Sequence, residues 1–249
     1  KEWEASGAAK AAEQYQADLE KWRIEDERAK QEGRASPKRP PRPAGAAKGF
    51  SHPSGLYNAM IAPMKTFAIR GAIWYQGESN AARAPQYSGT LSALIRGWRE
   101  AWGQGDFPFL VVQLANFRAT SDDPNVNSSW AIVRDAQKSA LKLPATGMAV
   151  AIDVGEAGNI HPKDKKTVGD RLALAARKVA YGEDIVSSGP MADRAEADGN
   201  GLRVHFTSVV GGLVARGDSL KCFAVAGKDG EFAWAKAEID GDTLVVRSP

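Results

Sequence analysis

Between residues 67 and 182 the chain repeats one pattern three times: a short apolar run, then a longer segment whose apolar residues recur every three or four positions. The short runs have the length of buried strands, and the longer segments have the period of amphipathic helices. We assign the strands to residues 67–75, 107–114 and 146–153. A strand–helix–strand–helix–strand–helix order is typical of a parallel sheet with right-handed crossovers, so the pattern predicts an α/β fold.

The helices of this pattern carry recognisable end signals. The first is expected to start near Tyr87 and to stop at Gly103, because glycine is favoured just beyond a helix C-terminus. The second is expected over residues 130–141, after a cap at Ser128 and Ser129. The third is expected to carry Pro162 in its first turn, where a missing N–H costs nothing, and to run to Gly182.

The two ends of the chain differ in composition from this central region. Residues 1–33 are rich in Ala, Glu and Lys and predict a charged helix with one narrow apolar seam, and the proline-rich residues 35–44 are interpreted as a stiff, extended spacer. We therefore expect a helical insertion and linker at 1–49 and an α/β domain, lacking its N-terminal portion, at 50–189. Short alternating runs separated by Gly and Asp predict a smaller antiparallel β-rich module at 190–249, whose strand set need not be complete. The runs lie at residues 202–206, 212–215, 223–225, 232–235 and 243–246.

Composition excludes several classes of function. The net charge of +3 over 249 residues is small and the basic residues form no aromatic-interleaved patch, so nucleic acid is not an expected partner. The single cysteine, Cys222, offers no disulfide framework, and the scattered histidines offer no metal site, so we expect no metal. No apolar run has membrane-spanning length, so no membrane is expected. The chain opens in what reads as mid-helix without a signal-like segment, and we interpret it as an excised piece.

Two polar turns follow the first and third predicted strands. The first turn carries Gln76 and Glu78, and the second carries His161. Because ligands bind beyond the carboxyl ends of strands in an open α/β sheet, we expect the two turns to meet at one edge. Acyl transfer needs a base, an orienting carboxylate and hydrogen-bond donors for an oxyanion. His161, Glu78 and Gln76 are the candidates for these three roles.

His161 and Glu78 also have structural interpretations. A histidine at a helix N-terminus is kept neutral by the helix dipole and suits the role of base, but it can equally serve as a cap or a packing residue. Glu78 either accepts the second N–H of His161 or caps the helix that follows it. His52 and His205 lack polar company and are interpreted as structural.

The first turn also offers a serine. Gly77, Ser79 and Asn80 are candidate oxyanion or substrate-binding residues, and Ser79 is a tempting nucleophile. The sequence Gly-Glu-Ser-Asn lacks the second glycine of the nucleophile elbow, G-x-S-x-G. A self-contained esterase that uses Ser79 is therefore the less favoured of the enzymatic hypotheses.

Three segments in this order resemble the sialate O-acetylesterase family, a branch of the SGNH-type hydrolases that includes acetylxylan esterases. They are Pro53-Ser-Gly-Leu-Tyr-Asn-Ala-Met-Ile-Ala-Pro63, Trp74-Tyr-Gln-Gly-Glu-Ser-Asn80, and Ile160-His-Pro-Lys163 leading into Val168-Gly-Asp-Arg-Leu172. The resemblance covers about residues 50 to 249 and implies an SGNH-hydrolase-like parallel sheet flanked by helices.

The resemblance implies a cofactor-free serine esterase that removes acetyl groups from carbohydrate, extracellular or periplasmic in location. The family's base falls on His161, and its oxyanion and histidine-supporting positions fall on residues 76–79. The family's nucleophile lies in an upstream Gly-Gln-Ser-Asn-like motif that this chain lacks. Many relatives also carry Asp where this chain has Asn159, which makes Glu78 the stronger orienting acid, with Asp153 and Glu156 as alternatives.

The leading hypothesis is a carbohydrate O-acetyl esterase whose serine comes from a Ser-bearing N-terminal segment or chain of the same protein. Acetylated carbohydrate would be the substrate. The alternative is a catalytically incomplete hydrolase fold that acts as a glycan-binding or structural module.

Overall fold

The computed structural model describes residues 2–41 and 54–248, and side chains within the first helix from residue 10 onward. The chain divides into two compact units, residues 1–67 and residues 68–249. The domain boundaries expected after residues 49 and 189 remain predictions. His52 and the end of the proline-rich stretch lie outside the described residues.

The first unit is built on α1 (Glu2–Gln31), as its composition predicts. Leu19 is buried, and Trp22 donates its indole N–H to the carbonyl of Pro37 at 2.8 Å, while the guanidinium of Arg39 lies 5.7 Å from the Trp22 ring centroid. The described part of the proline-rich stretch therefore folds back along α1. Its interpretation as an extended spacer stays a prediction. An indole offers both an apolar face and one donor, and here both are used.

The second unit begins with a three-stranded parallel sheet in the order β1–β2–β3. These strands are β1 (Ala72–Trp74), β2 (Phe109–Val112) and β3 (Thr146–Ala149). Ala72 is in register with Phe109, and Phe109 with Thr146. The predicted parallel sheet is confirmed, although each strand is shorter than predicted: β1 and β2 start later, and all three strands end earlier.

Three helices cover the two faces of this sheet. The helices are α2 (Tyr87–Trp102), α3 (Ser129–Ser139) and α4 (Lys165–Val179). On one face Trp74, Phe109 and Val111 share a core with the buried sides of α2 and α3. On the other face α4 packs over β2 and β3, and a Cβ at Gly147 would lie 2.9 Å from Leu110, so glycine permits this close packing. Ile73, on the same face of β1, stays 63% exposed.

The amino ends of β2 and β3 are tied by the buried guanidinium of Arg99. It donates to the carbonyl oxygens of Phe107 at 3.0 Å and Pro144 at 2.7 Å, and it lies 3.4 Å from the carboxylate of Asp106. Burial lowers the pKa of Arg99, but a guanidinium stays protonated in proteins. The end of the sheet away from the polar turns is thus fixed by one side chain.

The C-terminal part of the second unit is antiparallel. Its four-stranded sheet has the order β4–β5–β9–β8, with β4 (Met191–Asp198), β5 (Gly201–Thr207), β8 (Lys236–Asp240) and β9 (Thr243–Arg247). A separate pair joins β6 (Ala224–Ala226) to β7 (Phe232–Trp234). The predicted β-rich character is confirmed. The strand expected at residues 212–215 does not form, and β4 and β8 were not expected.

Candidate active site

Both polar turns leave the sheet at its carboxyl edge. Residues 76–80 follow β1, and the loop that carries His161 follows β3. Since β2 lies between these strands, the residues that follow β2 occupy the space between the two turns. The expectation that topology brings the turns to one edge is confirmed.

The first turn is fastened to the middle of the sheet by Gln137 of α3, which is completely buried. Its amide nitrogen donates to the carbonyl of Gln76 at 3.1 Å and to that of Val112 at 3.3 Å, and its amide oxygen accepts from the N–H of Leu114 at 2.9 Å. One side chain thereby binds backbone groups at the ends of both β1 and β2, as buried polar groups require. Sequence reasoning missed this residue.

Gly77 permits a close approach between this turn and the helices beneath it. Its φ is 155°, and a Cβ placed there would lie 3.1 Å from Val133 and 3.3 Å from the amide nitrogen of Gln137. A side chain would meet both strain and crowding, since this backbone region favours glycine. The close approach expected from the glycine is confirmed.

The side chain of Gln76 is held in one orientation. Its amide oxygen accepts from the hydroxyl of Tyr87 at 3.1 Å, and its amide nitrogen donates to the side-chain oxygen of Asn80 at 2.8 Å. The Tyr87 hydroxyl also donates to the Gln76 carbonyl at 2.7 Å, and burial raises the pKa of Tyr87. Among residues 54–248 the second amide N–H of Gln76 has no partner. A fixed donor with a free N–H is the arrangement that oxyanion stabilisation needs.

Glu78 begins a short 3₁₀ helix, Glu78–Gln86, and its carboxylate accepts the backbone N–H of Gly77 at 2.9 Å. The imidazole of His161 is exposed, and within the described part of the chain no hydrogen bond joins it to Glu78. The Glu78–His161 pair therefore stays a prediction. Hydrogen bonds of this kind are often long or absent without substrate.

The loop that carries His161 is fixed to the residues following β2. The side-chain oxygen of Asn116 accepts the N–H of Gly155 at 2.7 Å, and the N–H of Arg118 donates to the carbonyl of Ala157 at 2.9 Å. A Cβ on Gly155 would lie 2.1 Å from the Asn116 carbonyl oxygen, a contact that only glycine avoids. Both residues were expected at the carboxyl edge, but no individual role was predicted for Asn116 or Gly155.

The same loop is braced within itself. Asn159 accepts the backbone N–H of His161 at 3.0 Å, and Glu156 accepts the N–H of Lys163 at 3.2 Å. Asn159 thus shapes the turn that presents the imidazole. Its backbone pairs with that of Glu156 in an isolated antiparallel bridge.

The expected position of His161 at a helix N-terminus is wrong. Helix α4 begins at Lys165, with Asp164 as its N-cap accepting the N–H of Thr167 at 2.9 Å. Pro162 therefore lies in the loop and not in the first helical turn. An aspartate cap outcompetes the proline signal because it satisfies one of the unpaired first-turn N–H groups. The dipole argument for a neutral imidazole loses its basis.

The two alternative orienting acids are engaged elsewhere. Asp153 forms a bidentate pair with Arg171, at 2.5 and 2.7 Å, and these hydrogen bonds lower the pKa of the Asp153 carboxyl. Glu156 lies 3.5 Å from the ammonium of Lys163. Of the acids considered, Glu78 is the one whose carboxylate has no cationic partner in the described residues.

A cation–π contact joins residues that flank the two turns. The ammonium of Lys165 lies 5.2 Å from the ring centroid of Tyr75, which precedes Gln76. Burial, and then the charge of Glu78, raise the pKa of Tyr75. This contact joins the end of β1 to the start of α4, four residues after His161.

The β6–β7 pair supports the loop that follows β2. Asn125 exchanges two hydrogen bonds with the backbone of Phe232, at 2.9 and 2.7 Å, and the indole N–H of Trp234 donates to the carbonyl of Asp122 at 2.7 Å. These hydrogen bonds hold the loop after β2 in place at the carboxyl edge of the sheet.

Ser79 and His205, the other candidates from the sequence, lie outside the hydrogen-bond network of the two turns. Ser79 is exposed, and no histidine in residues 54–248 hydrogen-bonds its hydroxyl. His205 pairs with Glu196 at 2.8 Å across β4 and β5, which supports its structural interpretation. Within the described residues, no three His, Cys, Asp or Glu side chains gather to hold a metal ion, and no helix is long and apolar enough to span a membrane.

A parallel sheet flanked by helices, with polar turns gathered at its carboxyl edge, defines an SGNH-hydrolase-like α/β protein. The model of the family "Carbohydrate esterase, sialic acid-specific acetylesterase" matches residues 44–178, more than half of the chain. The chain belongs to this family.

The individual proteins that are similar to this chain carry names that match this family. The chain is 39% identical to the sialate O-acetylesterases of Pongo abelii and Homo sapiens over 176 residues, which is 64% of this chain and 34% of each relative. The crystal structure of a carbohydrate acetylesterase from Xanthomonas citri is similar, with a TM-score of 0.75 and 47% identity over 80% of this chain and 46% of that one. The chain thus spans about a third of these curated relatives.

Proposed function

We propose that this chain is the histidine-bearing part of a carbohydrate O-acetyl esterase. The observation that carries the proposal is the convergence of the two polar turns at one sheet edge, fastened through Gln137 on one side and Asn116 on the other. Family membership supports the same chemistry. The activity belongs to the longer protein, because the similar esterases extend well beyond the part this chain matches.

In this mechanism His161 removes the proton from a serine hydroxyl, and the serine oxygen forms a bond to the acetyl carbonyl carbon. Gln76 stabilises the resulting oxyanion with its free amide N–H. Collapse breaks the bond to the sugar oxygen, which receives the proton from His161. Water then releases acetate by the same steps, so no cofactor is needed.

The proposed catalytic arrangement of base, orienting acid and oxyanion donors requires Glu78 to move. Its carboxylate now occupies the N–H of Gly77, a second oxyanion donor in the proposed mechanism. Rotation of Glu78 toward His161 frees that N–H and provides an acceptor for the imidazole in one step. Ser79 and Asn80 then border the substrate, with Asn80 holding Gln76.

The nucleophilic serine is proposed to come from an upstream segment of the same protein. β1 is an edge strand in the described residues, and Ile73 on its uncovered face is 63% exposed, as expected of a strand that further residues cover. The upstream sequence should therefore contain a Gly-x-Ser-x motif after a strand. Its absence would remove the nucleophile from the mechanism.

The test is acetyl release by the full-length protein from O-acetylated sialic acid and from acetylated xylan. His161→Ala should lower kcat by at least about a hundredfold, the contribution of a positioned base. His205→Ala, a paired strand histidine, is the matched control and should change kcat little. Ser79→Ala should retain most activity, because the proposed nucleophile is an upstream serine. A large loss would instead indicate that Ser79 is the nucleophile.

A second function, a catalytically incomplete module that binds glycans, is favoured by one observation. Within the described residues the His161 imidazole has no hydrogen-bond partner, and the Gly77 N–H donates to the carboxylate of Glu78. The proposed catalytic arrangement is therefore not formed. Sugar binding without acetyl release by the full-length protein would support this function. We also propose an extracellular or periplasmic location, which cell fractionation would test.

A further inference from the structure

The hydrogen bonds that hold the two polar turns do not run from one turn to the other. Among the described residues, no hydrogen bond or ion pair links residues 75–80 directly to residues 150–165. Acyl transfer depends on how far the base lies from the oxyanion donor, since a misplacement of about 1 Å can cost a hundredfold in rate. The separation of His161 from Gln76 therefore needs another interaction to fix it.

Lys165 provides an interaction of this kind. It is the first residue of α4, and a side chain at that position points back toward the helix N-terminus, which lies at the carboxyl edge of the sheet. Its ammonium lies 5.2 Å from the ring centroid of Tyr75, the residue before Gln76. An aromatic ring attracts a cation at this distance from its face. The contact thus reaches from the end of the His161 loop to the start of the first turn.

The Tyr75 ring is a fixed platform for this cation. It packs against a buried cluster that includes Val112 of β2 and Val168 of α4. Burial, and then the charge of Glu78, raise the pKa of Tyr75, so the ring also lies within reach of the charge of the proposed orienting acid. Because Gln76 follows Tyr75 directly, a shift of the ring would displace the oxyanion donor as well.

Neither helix stability nor an ion pair explains a lysine at position 165. A positive charge in the first turn of a helix is disfavoured by the helix dipole. The neighbouring Lys166 offsets this effect through an ion pair with Asp170 at 2.5 Å. Among the described residues no carboxylate lies within ion-pair distance of the Lys165 ammonium, and the Tyr75 ring is the partner that the side chain has.

We propose that Lys165 is a positioning residue of the esterase reaction, and that its ammonium on the Tyr75 ring holds the His161 loop at a fixed separation from the Gln76 turn. The inference rests on the proposed esterase function and adds to it a residue that acts through Tyr75 and not on the substrate. Loss of the contact lets the base and the oxyanion donor drift apart, so it lowers kcat more than it raises KM.

The first test measures kcat and KM for acetyl release by the full-length protein. Lys165→Met keeps the length of the side chain and removes its charge, and it should lower kcat about tenfold with KM changed less than about twofold. Lys165→Arg, which restores a cation over the ring, should recover most of kcat. Lys166→Met is the matched control, because Lys166 is an exposed lysine of the same helical turn that pairs with Asp170, and it should leave kcat unchanged.

Two further measurements test the contact itself. Tyr75→Leu removes the ring and should lower kcat as Lys165→Met does, and the double variant should lose no more than either single variant. Hydrogen exchange reports on the two turns without any substrate. In Lys165→Met the amides of residues 76–80 and 155–163 should exchange about tenfold faster, whereas in Lys166→Met their exchange should stay as in the natural sequence.

An unchanged kcat in Lys165→Met, no recovery in Lys165→Arg, or losses that multiply in the double variant would overturn the positioning role. Equal exchange in Lys165→Met and Lys166→Met would overturn it as well. Its failure differs from failure of the esterase. Acetyl release that Lys165→Met leaves unaltered refutes the positioning role alone, and faster exchange in Lys165→Met of a full-length protein that releases no acetyl refutes the esterase alone.

Discussion

The buried amide of Gln137 donates a hydrogen bond to the carbonyl of Gln76 at 3.1 Å, joining α3 to the turn that carries the proposed oxyanion donor. The same side chain accepts from Leu114 at the end of β2. The position of Gln76 is therefore set from beneath by a residue that does not itself reach the exposed edge. We therefore expect a change at Gln137 to affect both stability and activity.

Gln137→Leu should destabilise the protein by about 2–3 kcal/mol, because it leaves the Leu114 N–H and the Val112 carbonyl without their buried partner. Acetyl release should fall as well, since Gln76 loses its support. Chemical denaturation measures the first effect. Gln113→Leu is the control, as Gln113 makes one side-chain hydrogen bond within the described residues, to the Arg134 carbonyl, at a partly buried site. Equal losses for the two variants would contradict the role given to Gln137.

Gly155→Ala should displace the His161 loop. The added methyl group would lie 2.1 Å from the carbonyl oxygen of Asn116, a backbone atom that cannot turn away. We expect a loss of at least about 2 kcal/mol, in the range of severe steric changes, and a drop in kcat of the full-length protein. Gly158→Ala in the same loop meets no atom within 4 Å and should stay within about 0.5 kcal/mol. A Gly155→Ala variant with unaltered stability and activity would show that the Asn116 contact does not hold the loop.

Asp153→Asn should change the acid stability of the chain. The Arg171 hydrogen bonds lower the folded-state pKa of Asp153 below its usual value of 3.8, so the pair stabilises the folded protein above that value. This stabilisation is lost as pH falls from about 4 through the lowered folded pKa. Because both side chains are partly exposed, its size is under about 1 kcal/mol.

The measurement for Asp153 is the urea midpoint at pH 7 and at pH 3. The loss of stability between the two values should be smaller in Asp153→Asn than in the natural sequence. Asp135→Asn, an exposed α3 carboxylate without an ion pair in the described residues, is the control and should preserve the full loss. A parallel decrease in all three proteins would contradict the assignment.

The architecture around the sheet was largely predictable because its signals are local. The apolar face that starts at Tyr87 and the glycine at 103 define α2 to the residue, and Gly103 adopts the left-handed conformation expected of it, with a φ of 63°. Ser128 caps α3 as predicted, accepting the N–H of Ala131. These features depend on neighbours within one turn of helix.

Features that depend on distant partners escaped prediction. Half of the residues of β4 are charged and most of them are exposed, and the strand forms because β5 pairs with it along its length, with one bulge between Ala192 and Arg194. The stretch at 212–215 alternates as a strand should, but Gly211 and Gly212 adopt positive φ values of 80° and 93° that break an extended chain. An apolar alternation without a pairing strand does not form a sheet.

In the candidate site, too, features with local sequence signals were predicted and features that depend on distant partners were not. The polar turns were found because each directly follows a strand, whereas Gln137 and Asn116 were missed because glutamine in a helix and asparagine in a loop usually face solvent. Their roles arise from partners 61 and 39 residues away. The start of α4 was misplaced because Pro162 and Asp164 both give start signals, and the aspartate provides the hydrogen bond that the proline cannot.

The most direct test of the proposed mechanism is a double-mutant cycle on Glu78 and His161 in the full-length protein, with kcat for acetyl release as the readout. Residues that act as a unit are not additive, so Glu78→Ala should lower kcat strongly alone and add almost nothing to His161→Ala. If the two losses multiply in the double variant, the glutamate and the imidazole act independently, and the proposed pairing at the sheet edge is wrong.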